Sequence, residues 1–523
     1  MKRPNIVIFN PDQMRADALA HLGNPASVTP NLDAFVAEGA VSFRNAYCQN
    51  PVCVPSRCSF LTGLYPHVYG NRTMHHMLSA DQSSLFSELK DAGYYVWMNG
   101  RNDFLPAQIP SIFEKHASEV WYNSTRPIIP CHFDRQPPKS PENHGYYSFY
   151  KGKLVANDGG AEVYSRDDEI MEGALDFLGR LPTEQPFCMF LGIGDPHPPY
   201  MVEEPYFSAI KAQYLPKRVP APEDVSSLPL MLQRLLEKFK LQDLSEEEWD
   251  NIRCCYLGMC MKVDAEFGTL VKELKKRGVF DDTAIFVLSD HGDFTGDYGV
   301  PEKAQNVMRD CLTNVPLLIK PPRGIPVDPG ITESLAELVD FYATAMDLAG
   351  VTPDHTHFGC SLLPVLEDRS KEVRDCVFSE GGRLIREARC CSEVGGNPPD
   401  PTLEYYPRLI VQEQDGEAHG KATMIRTKEY KYVRHLYERD EFYDLAKDPK
   451  EQENRIDDPA YASIIRELSD KMLAWYQETC DIVPFKQDSR FNEEIIWNIQ
   501  KRRLPPGMTF EDMLNAMKKV GMK

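Results

Sequence analysis

Residues 5–13 read NIVIFNPDQ, an apolar run that ends in a carboxylate and an amide. Because the run has no polar face, it predicts a strand that is buried on both sides in a parallel sheet. Two later runs have the same form, namely FCMFLGIGDPHP at residues 187–198 and TAIFVLSDHGD at residues 283–293. Helical patterns separate the three strands along the chain, which is typical of βαβ units. The sequence therefore predicts an α/β domain with a large, mainly parallel sheet.

Helix-capping signals support this reading of the first 370 residues. A Thr-Pro start and a glycine stop bound a helix over residues 29–39, and another helix starts near Ser165. Ser245 and Glu248 form a capping box before a long helix that runs to about residue 276. These helices alternate with the strands, as the α/β class requires.

The pattern changes after about residue 372. Residues 422–435 alternate like the two strands of a hairpin, residues 441–445 add a short strand, and a helix follows over about residues 461–476. We therefore expect a large α/β domain over residues 1–372 and a smaller α+β domain with an antiparallel sheet over residues 373–523. The tail has a capping box at Thr509 and Asp512 and an apolar stripe, which either packs on its own domain or forms the arm of a homo-oligomer.

Composition disfavours several classes of partner. The 523 residues include 78 acidic and 58 basic side chains, a formal net charge of −20, which disfavours nucleic acid and long polyanions. No apolar run approaches the roughly 20 residues of a membrane-spanning helix, so we expect no membrane partner. The chain starts without a secretory-signal pattern, and its fourteen cysteines are not dense. We therefore expect reduced thiols and a cytoplasmic location.

The ends of the three strands carry residues suited to chemistry. In open α/β sheets the carboxyl ends of the strands line the ligand crevice, so we expect Asp12, His197, Asp290 and His291 to meet there. Each of them alone reads equally well as a buried polar group, but four at equivalent strand ends favour a site. Asp12, Asp290 and His291, with the amide oxygen of Gln13, form a mostly oxygen-donor set. Such a set suits Ca²⁺ or Mg²⁺, and the imidazole also admits Mn²⁺.

A further motif, CVPSRCSFLTG at residues 53–63, opens a predicted helix that ends at Gly63. Cys53 and Cys58 alone would pass for a zinc or disulfide pair, but no second Cys/His pair with finger-like spacing accompanies them. The motif resembles the signature of the type I sulfatases of the alkaline phosphatase superfamily. In that family a formylglycine-generating maturation enzyme oxidises this cysteine to Cα-formylglycine. The resemblance therefore implies that Cys53 is the precursor of an aldehyde nucleophile.

The same resemblance implies a fold and a set of site residues. The expected fold is the α/β/α sandwich of alkaline phosphatase with a smaller C-terminal domain. Gln13 stands where many members carry a second Asp, a combination associated with choline-sulfatase-like and phosphonate-monoester-hydrolase-like members. One divalent metal, Ca²⁺ ahead of Mg²⁺ or Mn²⁺, is expected on Asp12, Gln13, Cys53, Asp290 and His291. The residues expected to act in catalysis are Cys53, Arg57, His197, Asp290 and Lys303.

Roles for these residues also follow from the resemblance. The hydrated aldehyde offers two hydroxyl groups on one carbon. One of them, ionised by the metal and Asp290, attacks sulfur, and deprotonation of the other then expels sulfate. Arg57, Arg101 and Lys303 stabilise charge on the transferring group. His197 is the expected general acid, which protonates the leaving alcohol.

The expected substrate-binding residues are Arg101, Asp103 and His67. His67 fits the family pattern as a supporting residue. Residues 100–103 read GRND where many members carry Gly-Lys-x-His. Arg101 replaces the lysine charge and adds a planar fork for sulfate oxygens. Asp103 cannot act as the histidine does, and it binds a sugar hydroxyl or an ammonium, orients Arg101, or simply caps the loop.

The resemblance predicts a metal-dependent sulfatase that acts on a small anionic sulfate ester, such as a sulfated sugar or an aryl sulfate. One alternative is the same machinery acting on phosphonate monoesters or phosphodiesters, because these share charge and geometry with sulfate esters. The other is a non-catalytic binder of sulfated glycans in which Cys53 is never oxidised. The motifs fix the reaction type more closely than the alcohol that carries the sulfate.

Overall fold

The computed structural model describes residues 3–122, 131–133, 149–156, 163–387, 405–485, 490, 492–500 and 506–519. The chain forms two compact units, Met1–Asp481 and Ile482–Lys523. The domain boundary expected near residue 372 stays a prediction. The strands of the first unit have these bounds: β1 (Asn5–Pro11), β2 (Val41–Tyr47), β3 (Tyr95–Gly100), β4 (Glu119–Val120), β5 (Cys131–Phe133), β6 (Tyr150–Ala156), β7 (Phe187–Ile193), β8 (Tyr200–Val202), β9 (Thr283–Leu288), β10 (Leu317–Lys320), β11 (Gly330–Glu337), β12 (Val377–Gly381), β13 (Ala422–Arg426), β14 (Tyr430–His435) and β15 (Glu441–Asp444).

The α-helices of the first unit lie between these strands and after them. Their bounds are α1 (Pro30–Gly39), α2 (Cys53–Thr62), α3 (Pro66–Tyr69), α4 (Leu85–Asp91), α5 (Pro110–His116), α6 (Arg166–Gly179), α7 (Tyr206–Ala209), α8 (Leu230–Phe239), α9 (Glu246–Lys276), α10 (Asp310–Thr313), α11 (Leu338–Ala349), α12 (Leu363–Glu367), α13 (Tyr406–Gln414) and α14 (Ala462–Thr479). The second unit contains α15 (Glu493–Gln500) and α16 (Phe510–Lys519).

The main sheet is large and mixed. Within the described residues it has eight strands in the order β11-β2-β10-β9-β1-β7-β3-β4. Strand β1 lies between β7 and β9 and is parallel to both, so Phe9 is paired with Leu191 on one side and Val287 on the other. Strand β10 is antiparallel to both of its neighbours, β9 and β2. The predicted α/β class with a mainly parallel sheet is confirmed.

Helices cover both faces of this sheet. Successive side chains of a strand point to opposite faces. Val7 and Phe9 accordingly join one apolar core, where the Phe9 ring meets Phe267 of helix α9 at 5.4 Å between centroids. Ile6 and Ile8 join the other core, which helices α2 and α11 complete. This alternation explains why the first strand has no polar face, and it produces the three-layer α/β/α arrangement.

The smaller sheet follows the main one in sequence. Among the described residues it has four antiparallel strands in the order β12-β13-β14-β15. Helix α14 packs against it, with the rings of Phe378 and Trp475 stacked at 4.4 Å. The expected hairpin over residues 422–435, the short strand from residue 441 and the following helix are confirmed.

Local capping explains why the predicted helices begin and end where they do. Ser165 caps α6, and Ser245 with Glu248 forms the capping box that begins α9. In the second unit, Thr509 and Asp512 exchange the hydrogen bonds of the expected capping box before α16. Among the described residues, no helix is both long and apolar enough to cross a membrane. Whether the apolar stripe of the tail serves a homo-oligomer stays a prediction.

Candidate active site

The two halves of the site lie at the ends of neighbouring strands. Asp12 and Gln13 follow β1, and Asp290 and His291 follow β9, its parallel neighbour. All four side chains are fully buried. The backbone N–H of Gln13 donates to Oδ1 of Asp290 at 3.0 Å, which ties the two strand ends together. The structure therefore brings together Asp12, Asp290 and His291, three of the four residues that the strand-end rule predicted.

Helix α2 places Cys53 beside these strand-end residues. Cys53 is the first residue of the helix, and its thiol is fully buried. Its Sγ lies 3.2 Å from Nε2 of His291 and 3.6 Å from Oδ1 of Asp12. The hydroxyl of Ser56 donates to the carbonyl of Asp290 at 2.6 Å and fixes the helix against β9. Burial, followed by the Asp12 carboxylate, raises the pKa of the Cys53 thiol well above its ordinary value.

These side chains form a donor set that fits one divalent metal ion. One ligand atom from each of Asp12, Cys53, Asp290 and His291 lies within 4.8 Å of all the others. The Nδ1–H of His291 donates to the carbonyl of Gly292 at 2.9 Å, so the lone pair of Nε2 faces the cluster. Burial lowers the pKa of His291 to about 4, and the imidazole is therefore neutral near pH 7, as a metal ligand must be.

The amide of Gln13 joins Lys303, which lies beside Cys53, to Asp293. Its Oε1 accepts a hydrogen bond from Nζ of Lys303 at 2.7 Å, and its Nε2 donates to Oδ2 of Asp293 at 2.6 Å. Asp293 is fully buried, and burial raises its pKa to about 6. Asp293 ends the strand-end motif of residues 283–293, but no local pattern assigns it a role. Its partner Gln13 precedes it by 280 residues, and only the fold reveals the contact.

Arg57 neutralises the two carboxylates. Its Nε donates to Oδ2 of Asp290 at 2.9 Å, and its Nη2 donates to Oδ2 of Asp12 at 2.8 Å. The remaining Nη1 donates to the backbone carbonyl of Arg101 at 2.8 Å. Although burial opposes the charge, Asp290 and Asp12 raise the pKa of Arg57 above its ordinary value. A buried pair of carboxylates would repel one another without this fork-shaped cation between them.

Lys303 and His197 form a second basic pair beside Cys53. The Nζ of Lys303 lies 3.4 Å from Sγ of Cys53 and 3.0 Å from Nε2 of His197. The Nδ1–H of His197 donates to the carbonyl of Pro198 at 2.7 Å, so its Nε2 accepts the proton of Lys303. Burial, then Lys303 and Arg101, lower the pKa of His197 well below its ordinary value. The imidazole is neutral, and the proton between the two residues sits on the lysine.

Two residues that sequence reasoning missed hold His197 in place. The carboxylate of Asp167, near the start of helix α6, accepts from the amides of Gly194 and Asp195 at 2.8 and 2.7 Å. The ring of Tyr405 lies 6.1 Å from that of His197, and its hydroxyl donates to the carbonyl of Pro198. No local pattern marks either residue, because each acts across a long separation in sequence.

Arg101 and Asp103 lie at the open side of the cluster. Arg101 follows β3, and its side chain keeps 30% of its surface exposed, whereas Arg57 is fully buried. Its Nε lies 2.6 Å from Oδ2 of Asp103 and 3.1 Å from Oδ2 of Asp12. Of the roles considered for Asp103, the contact in the structure corresponds to the orientation of Arg101.

His67 contacts strand β12 of the smaller sheet and helix α14. Its Nδ1 is 2.7 Å from Oε1 of Glu380, and its Nε2 is 3.0 Å from the carbonyl of Thr479. Its ring packs against Trp475, with the centroids 5.1 Å apart. Both ring nitrogens therefore bind protein groups between α3, β12 and the end of α14. Its expected part in substrate binding stays a prediction.

Comparisons with known proteins give the family of the chain. A family model described as Sulfatase matches residues 4–351, and one described as N-sulphoglucosamine sulphohydrolase, C-terminal, matches residues 411–478. The chain is 26% identical to the multifunctional alkaline phosphatase superfamily protein PehA of Trinickia caryophylli, over 91% of this chain and 95% of that protein. It is 25% identical to the choline-sulfatase of Rhizobium meliloti, over 87% of this chain and 83% of that protein.

A solved structure shows the same fold. The phosphonate monoester hydrolase of Agrobacterium radiobacter matches with a TM-score of 0.71 at 23% identity, over 91% of this chain and 96% of that one. The fold is thus the alkaline-phosphatase-like α/β/α sandwich that the resemblance implied. Because the Sulfatase model covers more than half of its length, the chain belongs to the sulfatase family and is a sulfuric ester hydrolase.

Proposed function

We propose that the protein hydrolyses the sulfate ester of a small sugar or aryl alcohol, with residue 53 matured to formylglycine and one divalent metal bound. The observation that carries the proposal is the position of Cys53. Its side chain stands at the first turn of α2, in contact with His291 and Asp12 on one side and with Lys303 on the other. A nucleophile in that position contacts both the metal ligands and the basic groups.

Asp12, Gln13, Asp290, His291 and residue 53 would hold the metal. When bound there, the ion would screen the charge of the sulfate group and favour the ionised form of a hydroxyl on residue 53. The set is rich in oxygen and has one imidazole, so Ca²⁺ is our first assignment and Mg²⁺ or Mn²⁺ are the alternatives. Arg57 binds Oδ2 of each carboxylate, which leaves Oδ1 of Asp12 for the ion, whereas Oδ1 of Asp290 also accepts from the backbone N–H groups of Gln13 and His291.

Residue 53 supplies the nucleophile. A hydrated aldehyde carries two hydroxyl groups, of which one takes the sulfuryl group and the other, on losing its proton, expels sulfate and restores the aldehyde. The net reaction consumes one water and yields the alcohol, sulfate and one proton. We assign Lys303 and the partly exposed side chain of Arg101 to bind the sulfate oxygens, while Arg57 is engaged with Asp12 and Asp290.

The proton for the leaving alcohol comes from the pair of Lys303 and His197. In the structure Lys303 donates to Nε2 of His197, so His197 carries no proton of its own at that nitrogen. The ammonium of Lys303 holds the proton of this hydrogen bond, and the pair gives it up to the ester oxygen as charge develops there. This refines the role expected for His197, since the pair acts together.

A peptide-level mass measurement on purified protein tests the nucleophile. The proposal expects residue 53 as an aldehyde or its hydrate after expression with a formylglycine-generating enzyme, and as cysteine without that enzyme. Sulfate release from an aryl sulfate should rise in proportion to the converted fraction. Activity that is independent of conversion would contradict the formylglycine mechanism, and a fully converted but inactive protein would contradict the sulfate substrate. A screen of sulfated mono- and disaccharides then identifies the alcohol.

A second candidate substrate class is phosphonate monoesters or phosphodiesters. Its support is the likeness to PehA, a multifunctional member of the superfamily, together with the cations Lys303 and Arg101 of the cluster. Rates on an aryl sulfate and on the matched aryl phosphonate, measured with the same preparation, separate the two. We assign sulfate as the preferred substrate, and a higher kcat/KM on the phosphonate would reverse that order.

The location belongs to the proposal as well. The described cysteines are free thiols, many of them buried in apolar surroundings, which supports a reducing compartment such as the cytoplasm. A cytoplasmic enzyme meets small imported sulfate esters more readily than extracellular polymers. Fractionation of the native host with an antibody against the chain tests this, and recovery from the medium would contradict it.

A further inference from the structure

Asp293 is a buried carboxylate with a dense set of donors around it. Its Oδ1 accepts from the backbone N–H of Thr295 at 2.6 Å, from the hydroxyl of Thr295 at 2.8 Å and from the hydroxyl of Tyr200 at 2.8 Å. Its Oδ2 accepts from Nε2 of Gln13 at 2.6 Å and from Tyr200 at 3.0 Å. The oxygen bound to the Thr295 backbone cannot be replaced by a donor, because an N–H has no lone pair.

This arrangement fixes the direction of the Gln13 amide. The amide NH₂ group binds the Asp293 carboxylate, and the amide oxygen accepts from the ammonium of Lys303. A flipped amide would set its oxygen against the carboxylate and its NH₂ group against the ammonium, so both contacts would become repulsive. The oxygen has two lone pairs, and it can therefore serve a metal ion while it accepts from Lys303.

We propose that Asp293 is a positioning residue for the metal site: it holds Gln13 with its amide oxygen toward the ion. Through its hydrogen bond to Gln13, Asp293 also supplies the metal site with a negative charge. A carboxylate at position 13 would supply that charge directly. A carboxylate bound to the NH₂ group polarises the amide and makes its oxygen a better ligand. The inference rests on the metal site of the proposed function, and it explains how a neutral side chain serves at position 13.

Exchange of Asp293 for asparagine gives the first test. In Asp293→Asn the backbone N–H of Thr295 keeps the amide oxygen at its side, so the new NH₂ group faces the NH₂ group of Gln13. Gln13 must then flip or withdraw, and it no longer offers an oxygen to the ion. We expect the dissociation constant for Ca²⁺ to rise about 10- to 100-fold, as for other groups that orient a metal ligand.

The double variant Gln13→Glu/Asp293→Asn moves the negative charge from position 293 to position 13. The pairing is restored, because one oxygen of the new glutamate accepts from the new asparagine and the other faces the metal. The net charge of the site is unchanged. Gln13→Glu alone places two carboxylates in contact at this position, with no donor between them. We therefore expect the double variant to bind Ca²⁺ more tightly than either single variant.

Calorimetric titration of the metal-free protein with Ca²⁺ measures all four affinities without using enzyme activity. The conversion of residue 53 is checked in each preparation, and the melting temperature in chelator shows whether each variant is folded. Asp264→Asn is the matched control: this buried carboxylate of α9 accepts from the amides of Asn31 and Leu32. It should leave the dissociation constant unchanged.

The outcomes separate the inference from the proposed function. Weak binding by Asp293→Asn with recovery in the double variant supports the positioning role. Equal affinity of the wild-type protein and Asp293→Asn overturns it and leaves the metal site standing, as does a double variant that binds no better than the single ones. If Asp293→Asn fails to fold, comparison of Gln13→Glu with the double variant decides alone. Absence of Ca²⁺ binding by the wild-type protein overturns the Ca²⁺ site and the inference together.

Discussion

Opposite charges around Cys53 are matched residue by residue. Asp12 and Asp290 share the guanidinium of Arg57, Asp12 also approaches Arg101, and Lys303 stands beside the thiol. Buried carboxylates persist only where such partners satisfy them. The arrangement leaves Lys303 and the exposed part of Arg101 as the cations that can meet an incoming anion. In the structure Arg57 binds both carboxylates, and its expected part in stabilising charge on the transferring group stays a prediction.

His197→Asn tests the source of the leaving-group proton. Asparagine cannot relay a proton, so kcat/KM for an alkyl sulfate should fall by about 10²–10⁴-fold. An aryl sulfate with a strongly acidic phenol needs no proton to leave and should lose far less. The measurement is kcat/KM across a series of sulfates whose alcohols differ in pKa.

His21→Asn is the matched control for that series. The ring of His21 binds Asp33 and Ser42, and its replacement should leave the dependence on the leaving group unchanged. A loss in His197→Asn that is equal for all leaving groups would contradict proton donation by the pair and leave His197 with a binding role only.

At the scale of single residues, the sequence identified the groups whose positions follow from strand ends or from a motif. Asp12, Gln13, Asp290 and His291 meet because β1 and β9 are neighbours. Asp293, Asp167 and Tyr405 could not be assigned in this way. Asp293 binds Gln13 across 280 residues and Tyr405 binds the carbonyl of Pro198 across 207 residues, and only the packing of the layers brings these pairs together.

Among the elements, helix α2 does the most to place the site. It begins at Cys53, carries Arg57 one turn later and ends at Gly63, which has φ 70° and caps the helix in the left-handed region. The N–H of Gly63 donates to the carbonyl of Ser59 at 2.9 Å. The motif predicted this helix because its start and stop are local signals. The depth to which it is buried follows from the two layers that enclose it.

Gly63→Ala should destabilise the protein by more than the strain of its left-handed backbone angle alone. A Cβ there would lie 2.7 Å from Cδ1 of Tyr342 and 2.8 Å from Cβ of His357. Overpacking of this kind costs about 1–3 kcal/mol beyond the roughly 1–2 kcal/mol of the left-handed backbone. We expect a lower melting temperature and a loss of activity, because α2 must shift to relieve the contacts.

Gly70→Ala is the matched control for that backbone cost. Gly70 has φ 75°, and a Cβ added there would meet no heavy atom of the described residues within 4 Å. Thermal unfolding of both variants measures the difference. Equal shifts in melting temperature for the two variants would show that α2 tolerates the added methyl group at Gly63. They would also contradict the view that packing at this end holds α2 in place.

For the whole molecule, the net charge of −20 contrasts with the cations gathered at one point. The overall field disfavours polyanions, whereas Lys303 and Arg101 concentrate positive charge where the strands end.

The fold class and the antiparallel second sheet were predictable because hydrophobic periodicity and caps are local. The order of the strands in the main sheet was not predictable. It depends on which strand edges remain unpaired once the helices have packed on the sheet.

His355 links stability to pH across several elements. Its Nδ1 lies 3.0 Å from Oε1 of Glu88 on α4, and its Nε2 donates to the carbonyl of Thr62 at the end of α2. Burial alone would lower the pKa of His355, but hydrogen bonds to Glu88, Thr62 and Asp354 raise it to about 9. The folded pKa exceeds the unfolded one, so this stabilisation is full below about pH 6.5 and is lost as pH rises through about 9.

His355→Gln should therefore lower the free energy of unfolding by about 2–3 kcal/mol near pH 6, and by much less above pH 9. Denaturant unfolding of the wild-type protein and the variant at a series of pH values measures this difference. A difference that stays constant from pH 6 to pH 10 would show that the ring acts by packing, not by its charge.

The most direct test of the account compares sulfate release from an aryl sulfate by the wild-type protein and by Cys53→Ala, with bound metal and the conversion of residue 53 measured in both. We expect hydrolysis by the converted wild-type protein and a loss of at least about 10⁴-fold in Cys53→Ala, because alanine offers no hydroxyl group to take up the sulfuryl group. Sulfate release that survives in Cys53→Ala would contradict the account.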